Sequence, residues 1–224
     1  MFRMDMHVHT EFSPDAFLSL KTIVKVCKAK GINCLAVTDH DTIKGARQLQ
    51  KMTSSLRVII GEEIESTEGE IIGLFLKAEI SPHLSPEATI SEIRKQGGIV
   101  YIPHPFATSR KLIFRKARLA ELTGEIDILE VFNSRSLCRA SNGRALEFAL
   151  SKNLLCGAGS DAHSRLELGN AYVELKKFET KDDFLENLKK AKICGQRTSL
   201  LIRVIMNRMV RKGLRRFSKS LRST

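Results

Sequence analysis

Apolar residues along the chain occur in two patterns, as short continuous runs and at helical spacing. The continuous runs are typical of buried strands and lie at 32–37, 57–60, 99–102, 126–132 and 154–158, after a first strand within 4–10. Apolar residues at helical spacing predict helices at 18–30, 45–52, 85–96, 142–152 and 181–191. Because strands and helices alternate, we predict an α/β fold, and specifically a parallel β/α barrel that is closed or nearly closed.

Two segments depart from this alternation. Thr67 to Glu70 has the composition of a hairpin turn, with a strand at 71–76 returning from it. A short strand near 197–201 is expected to finish the body of the fold. We therefore expect one catalytic barrel at 1–200, followed by a basic C-terminal helix and tail at 201–224.

Polar clusters follow the apolar runs. Side chains two apart in a strand share a face, so His7 and His9 of the first strand point to one place. Other residues of the same chemical types follow the later runs at 39–41, 104 and 161–163, and Glu130 lies within the run at 126–132. Since the C-terminal ends of parallel barrel strands meet at one rim, we expect these groups to converge there.

Imidazole and carboxylate groups converging on one point are typical of a divalent metal site. The candidate ligands are His7, His9, Asp15, His40, Glu63, His104, Glu130, Asp161 and His163. They are more than one ion can use, so we expect a cluster of two or three ions. Such a cluster generates hydroxide near neutral pH and stabilises the leaving oxygen, which indicates hydrolysis of a phosphate ester. The catalytic candidates are Glu63, Asp161 and His163.

In order along the chain, the motifs HxH, TDH, GxE and SDxH occur at 7–9, 38–40, 61–63 and 160–163. Together with His104 and Glu130, they resemble the PHP (polymerase and histidinol phosphatase) family of metal-dependent phosphoesterases over roughly 2–197. The resemblance implies a distorted (β/α)7 barrel with a trinuclear site. By analogy, one ion would bind His7, His9, Glu63 and Asp161, and a second would bind Glu63, His104 and a residue near Glu130. The third would bind Asp15, His40 and His163.

Three acidic residues bear on which ions would bind. Many relatives carry histidine where this chain has Glu70, so the second position has either a carboxylate ligand or one ligand fewer. Asp15 replaces a histidine found in some relatives, which favours Mn²⁺ or Mg²⁺ over Zn²⁺ without excluding Zn²⁺ or iron. Glu65 could share the face of Glu63 on the same strand, and the choice between them depends on the GxE match.

The charge distribution raises the question of the substrate. The formal net charge of +12 is carried by residues after Glu186, the last acidic residue. A basic tail of this kind attracts polyanions, so an exonuclease acting on RNA or DNA ends is an alternative to an enzyme for a small phosphorylated substrate. A further alternative is a metal-binding scaffold without activity. Candidate contacts to the substrate phosphate are Arg110, Arg135 and Arg165.

The cellular location of the protein is predicted from patterns that the sequence does not show. No apolar run approaches the length of a membrane span, and the N-terminus shows no signal-peptide pattern. The five cysteines include no CxxC pair, which fits reduced thiols. We therefore expect a cytoplasmic protein, and the sequence leaves its oligomeric state open.

Overall fold

A computed structural model describes residues 1–108, 113–202 and 204. The strands are β1 Phe2–Val8, β2 Cys34–Val37, β3 Arg57–Glu65, β4 Glu70–Leu74, β5 Ile99–Ile102, β6 Ile128–Asn133, β7 Leu155–Gly159, β8 Ala171–Leu175 and β9 Lys192–Gly195. The helices are α1 Leu20–Lys30, α2 Lys44–Met52, α3 Pro86–Lys95, α4 Lys116–Glu121, α5 Arg139–Ser151 and α6 Lys181–Leu188, with a 3₁₀ turn at Leu122–Glu125. None of the described helices is both long and apolar enough to cross a membrane.

The strands form one sheet in the order β7-β6-β5-β4-β3-β2-β1-β8-β9. Strands β1, β2 and β3 are mutually parallel, and so are β5, β6 and β7. Strand β4 runs antiparallel to both of its neighbours. Strands β8 and β9 are antiparallel and extend the sheet beyond β1.

The barrel closes where β1 meets the residues that follow β7. The backbone N–H of Asp161 donates to the carbonyl of His7 at 2.8 Å, and the N–H of His9 donates to the carbonyl of Ala162 at 3.0 Å. These bonds join the end of β1 to the segment leaving β7. The prediction of a nearly closed α/β barrel is therefore confirmed, but the sheet is not parallel throughout, because β4, β8 and β9 run antiparallel to their neighbours. The closing segment itself carries candidate ligands.

Helix starts and strand cores follow the sequence pattern. Ser19 caps α1 by accepting from the N–H of Thr22, and Ser85 caps α3 ahead of Pro86. Apolar side chains from neighbouring strands fill the barrel, among them Met4, Met6, Ile72, Tyr101 and Ile128. Two further apolar clusters lie elsewhere among the strands and helices. This packing fixes the strand ends from which the polar residues project.

Two details of the fold differ from expectation. The predicted hairpin at 67–70 is present between β3 and β4. The prediction of a strand near 197–201 is wrong, because the last strand, β9, lies earlier at Lys192–Gly195 and residues 200–202 are helical. Strand β8 carries half-buried Tyr172 and Glu174 between buried positions, a short pattern that we did not assign. Residues 203 and 205–224, which include most of the predicted basic tail, lie outside the described residues.

Candidate metal centre

Strand β1 delivers two imidazoles to one point. Its pairing with β2 shifts register between Asp5 and Val8, so the ladder is irregular where the two histidines begin. His7 and His9 are both buried, and their Nε2 atoms lie 3.1 Å apart. The prediction that these two histidines point together is therefore met by the geometry.

Glu63 of β3 is the hub of the centre. Its Oε2 lies 3.3 Å from His7 Nε2 and 3.2 Å from His9 Nε2. The same oxygen lies 3.4 Å from His40 Nδ1, while Oε1 lies 2.9 Å from His104 Nε2. A fully buried carboxylate that faces imidazoles through both oxygens has the arrangement of a bridging ligand.

Two candidate ligands have a left-handed backbone. His104 has φ of 31° and Asp161 has φ of 54°, although neither is glycine. Such conformations persist only where the surrounding structure imposes them, and they concentrate at functional sites. Asp161 Oδ1 lies 3.4 Å from His9 Nε2 and 3.8 Å from His7 Nε2. The strained backbone therefore brings Asp161 to the imidazoles of β1.

A second part of the centre lies nearer the surface. His163 Nε2 and Asp15 Oδ2 are 3.0 Å apart, and His40 Nε2 lies 3.8 Å from Asp15 Oδ1. Asp15 Oδ1 is buried and has no hydrogen-bond partner among the described residues. The rings of His9 and His163 lie 4.3 Å apart, so this part adjoins the first.

Several sets of His, Asp and Glu side chains place their ligand nitrogen and oxygen atoms within 4.8 Å of one another, close enough to share a metal ion. In the described residues these groups are His9–His40–His163, His7–His9–Glu63, His7–His104–Asp161 and His40–Glu63–Glu70. They overlap through His7, His9, His40 and Glu63. Adjoining groups of this kind can hold more than one ion.

Glu130 of β6 is buried beside the centre and makes several hydrogen bonds. Its Oε1 lies 3.1 Å from His7 Nδ1 and accepts from Tyr101 Oη at 3.2 Å. Its Oε2 accepts from the N–H of His104 at 2.7 Å and from Asn133 Nδ2 at 2.8 Å. A carboxylate bonded to the far nitrogen of an imidazole orients that ring. The geometry thus favours a positioning role, and direct metal binding by Glu130 stays a prediction.

Sequence reasoning undervalued the residues that support the ligands. Ser13 Oγ lies 3.1 Å from His9 Nδ1 and donates to Asp39 Oδ1 at 2.9 Å. Asp39 also accepts from Thr10 N and Oγ1, so it anchors the chain between β1 and α1. Asp5, which we did not select, accepts from Ser160 N at 2.8 Å and holds the turn before Asp161. Asp39 thereby joins the segments that follow β1 and β2, and Asp5 joins β1 to the segment that follows β7.

The three arginines predicted to meet phosphate have different outcomes. Arg135 Nη1 lies 2.5 Å from His163 Nδ1 and 3.6 Å from Asp161 Oδ1, and its Nε lies 3.4 Å from Glu167 Oε1. Arg165 is exposed two residues after His163. Arg110 lies outside the described residues. Of the two arginines in this set that the structure describes, Arg135 is the one it brings to the centre.

The electrostatics differ between the two parts of the centre, because positive charge is favoured around Glu63 and disfavoured at His163. Burial lowers the pKa of His7, but the carboxylates of Glu63 and Glu130 outweigh it and raise that pKa to about 10. Burial raises the pKa of Glu63, but His7, His40 and His104 together hold it well below its usual range. Burial and the charge of Arg135 hold the pKa of His163 well below its usual range. The pocket around Glu63 is therefore suited to a cation.

The family of the chain follows from its match to two sequence models. The model described as PHP domain matches residues 5–143, and the one described as PHP-associated matches residues 139–193. The chain belongs to the PHP family. The resemblance inferred from HxH, TDH, GxE and SDxH is thereby confirmed.

The chain is similar in sequence to other proteins and in fold to solved structures. An uncharacterized protein of Methanocaldococcus jannaschii is 41% identical over 144 residues, which cover 59% of this chain and 82% of that protein. A protein of Escherichia fergusonii named "probable phosphatase" is 25% identical over 232 residues, covering 87% of this chain and 94% of that one. A two-domain protein of Bacteroides vulgatus, whose structure contains a PHP-like domain, superposes with a TM-score of 0.70 at 18% identity. That superposition covers 87% of this chain and 65% of the other. Because the identity is low, the superposition shows a shared fold alone.

The donor set of this PHP chain fits divalent ions. Imidazole nitrogens and carboxylate oxygens are the ligand types that Zn²⁺, Mn²⁺ and Fe²⁺ accept. Within the described residues, Asp15 Oδ1 is a buried oxygen that lacks a hydrogen-bond donor, which is the state expected of a ligand atom. The residues at this rim could therefore hold metal.

Proposed function

We propose that this chain is a metal-dependent phosphoesterase that hydrolyses a phosphate ester, either a phosphomonoester or a nucleotide. The observation that carries the proposal is the set of overlapping candidate metal-binding groups around the buried carboxylate of Glu63. The relative named as a probable phosphatase, aligned over most of both chains, supports the same reaction class.

Two or three divalent ions, drawn from Mn, Zn, Fe or Mg, are proposed as cofactors. His7, His9, Glu63 and Asp161 would hold one ion, and Glu63 with His104 a second. Asp15, His40 and His163 would hold a third. Bound ions of this kind would polarise a phosphoryl oxygen and lower the pKa of a bound water, so that hydroxide is available near neutral pH.

The side chains have separate proposed roles. Glu63 keeps the imidazoles of His7 and His104 at fixed positions through its two oxygens, at 3.3 Å and 2.9 Å. Asp15 is 40% exposed and pairs with His163 Nε2 at 3.0 Å, so this pair lies where the centre meets solvent. His163 is assigned to metal binding and not to proton delivery, because burial and the charge of Arg135 hold its pKa well below its usual range.

Arg135 is proposed as a contact for the substrate phosphate. Its guanidinium is already at the centre, beside Asp161 Oδ1 at 3.6 Å and His163 Nδ1 at 2.5 Å. A guanidinium has five N–H donors in a planar fork, so it can contact protein and phosphate together. Equivalent roles for Arg110 and Arg165 stay predictions from the sequence.

The test is hydrolysis by the full-length protein. Purified protein would be assayed with p-nitrophenyl phosphate, nucleoside monophosphates and short RNA and DNA, each with Mn²⁺, Zn²⁺, Fe²⁺ or Mg²⁺. We expect turnover of the small esters with at least one ion and its loss on chelation. Bound metal without turnover of any substrate would contradict the proposal and favour a scaffold.

The same assay addresses the exonuclease alternative. A variant that ends at Leu200 lacks residues 201–224, the predicted basic helix and tail. Loss of activity on RNA or DNA ends with unchanged hydrolysis of small esters would indicate that the tail contacts nucleic acid. Equal loss on both substrates would argue against that role.

A further inference from the structure

The β3–β4 hairpin brings a second glutamate to the centre. In its register, Glu63 lies opposite Ile72 and Glu65 lies opposite Glu70. Residues directly opposed in an antiparallel pair share a face, and so do residues two apart along a strand. Glu63 and Glu70 are therefore diagonal neighbours on one face of the hairpin. Diagonal neighbours are about 7–8 Å apart, within reach of long side chains.

The side chain of Glu70 turns toward the imidazoles. Its Oε2 lies 3.5 Å from His104 Nε2, and only 14% of the side chain is exposed. Ligand atoms of His40, Glu63 and Glu70 all lie within 4.8 Å of one another. Glu70 thus faces two imidazoles that also face the hub carboxylate.

The cross-strand partner of Glu70 has a different environment. Glu65 lies on the same face, but its side chain is 50% exposed and its Oε1 lies 3.5 Å from Nδ1 of His83, a loop histidine. It lies beyond Glu63 along β3, toward the turn of the hairpin. Of the two glutamates, the geometry selects Glu70 for the centre.

We infer that Glu70 is a metal ligand, at a position shared with Glu63 and flanked by His40 and His104. The inference rests on the proposed metal-dependent function and adds to it the ion preference of one position. Carboxylate oxygens suit Mn²⁺ and Mg²⁺, whereas imidazole nitrogen suits Zn²⁺. Glu70 therefore makes this position prefer Mn²⁺ or Mg²⁺ over Zn²⁺, relative to the same position with a histidine.

The test measures metal binding rather than turnover. Full-length protein would be freed of metal by dialysis and titrated with MnCl₂ and with ZnCl₂ by calorimetry, and the bound ions would be counted by elemental analysis. The variants are Glu70→Gln, Glu70→His and, as the matched control from the facing strand, Glu65→Gln. Circular dichroism and thermal melting would check that each variant folds.

The expected result has two parts. Glu70→Gln should weaken Mn²⁺ binding at one position by about tenfold or more, while Glu65→Gln binds as the parent does. Glu70→His should bind the same number of ions, with the ratio of Zn²⁺ to Mn²⁺ affinity raised by about tenfold or more. A merely structural glutamate would not exchange one ion preference for another.

Two outcomes would overturn the inference. One is a Glu70→Gln variant with the affinity and number of ions of the parent, and the other is a Glu70→His variant with an unchanged ratio of Zn²⁺ to Mn²⁺ affinity. If Glu70→Gln fails to fold, the histidine variant decides. A parent protein that binds ions and turns over substrate while these variants show no change would refute this inference alone. A parent that binds no divalent ion would refute the proposed function as well.

Discussion

The Nε2 atoms of His7 and His9 lie 3.1 Å apart in a buried pocket at the end of β1. Both atoms also lie near Oε2 of Glu63, which is 3.3 Å from His7 Nε2 and 3.2 Å from His9 Nε2. Two imidazole nitrogens and a carboxylate oxygen this close together either share protons or surround a cation. The proposed function requires the second state.

We therefore expect His9→Ala to remove metal and activity together. Loss of this ring takes a ligand from two of the candidate groups, so the affinity for at least one ion should fall by about 100-fold or more. Elemental analysis and hydrolysis of p-nitrophenyl phosphate measure the two effects. His83→Ala is the control, because the His83 side chain is 69% exposed in a loop. Full activity of His9→Ala would contradict the assignment.

The contact between Ser13 and His9 yields a second prediction. Ser13 Oγ lies 3.1 Å from His9 Nδ1 and donates to Asp39, so Ser13→Ala releases the imidazole from its anchor. We expect metal affinity to fall roughly 10–100-fold with the secondary structure unchanged. Calorimetric titration with Mn²⁺ would measure it, and Ser54→Ala at an exposed position is the matched control. An unchanged affinity would mean that His9 is held by its other neighbours.

Much of this arrangement could be predicted from the sequence, because strand alternation and strand ends are local properties. Side chains alternate between the two faces of a strand, which placed His7 and His9 on one face. The alternation of strands and helices along the chain predicted a common rim. Whether Glu65 or Glu70 also reaches the centre could not be predicted, since it depends on the register of the hairpin. It depends also on the exposure of each side chain, and the Glu65 side chain is exposed beside His83. Register is a property of two strands together.

Supporting residues were harder to foresee for a related reason. Asp5 lies in an apolar strand and looks like an isolated polar residue, yet it accepts hydrogen bonds from Ser160 and Gly169, more than 150 positions away. Glu167 and Arg135 likewise meet only after β6 and β7 are placed side by side. Contacts of this sequence separation carry no local signal.

The close approach of β7 to β1 gives a prediction about stability. A Cβ added at Gly159 would lie 2.3 Å from His7 Cβ and 2.8 Å from the backbone N of His7. Because backbone cannot give way as a flexible side chain does, Gly159→Ala should lower the free energy of unfolding by roughly 1–3 kcal/mol or more.

Urea denaturation would measure the change in free energy. Gly143→Ala is the matched control, because Gly143 lies within α5 and a Cβ there meets nothing within 4 Å. This control should instead raise the free energy of unfolding by about 0.5–1 kcal/mol through better helix propensity. Equal stability of the Gly159 variant and the parent would show that the two strands do not approach as described.

The cysteines provide the last prediction, which depends on pH. Burial is the main cause that raises the pKa of Cys27 and Cys34, in each case to about 12. Cys138 precedes α5, where hydrogen bonds from the backbone N–H groups of Ala140 and Ser141 lower its pKa. Since the thiolate is the reactive form, Cys138 should be alkylated first as pH rises from 6 to 9. Cys27 and Cys34 should react only after unfolding. Iodoacetamide labelling followed by peptide mass spectrometry would read each site, and equal labelling of Cys138 and Cys34 in the folded protein would contradict their placement.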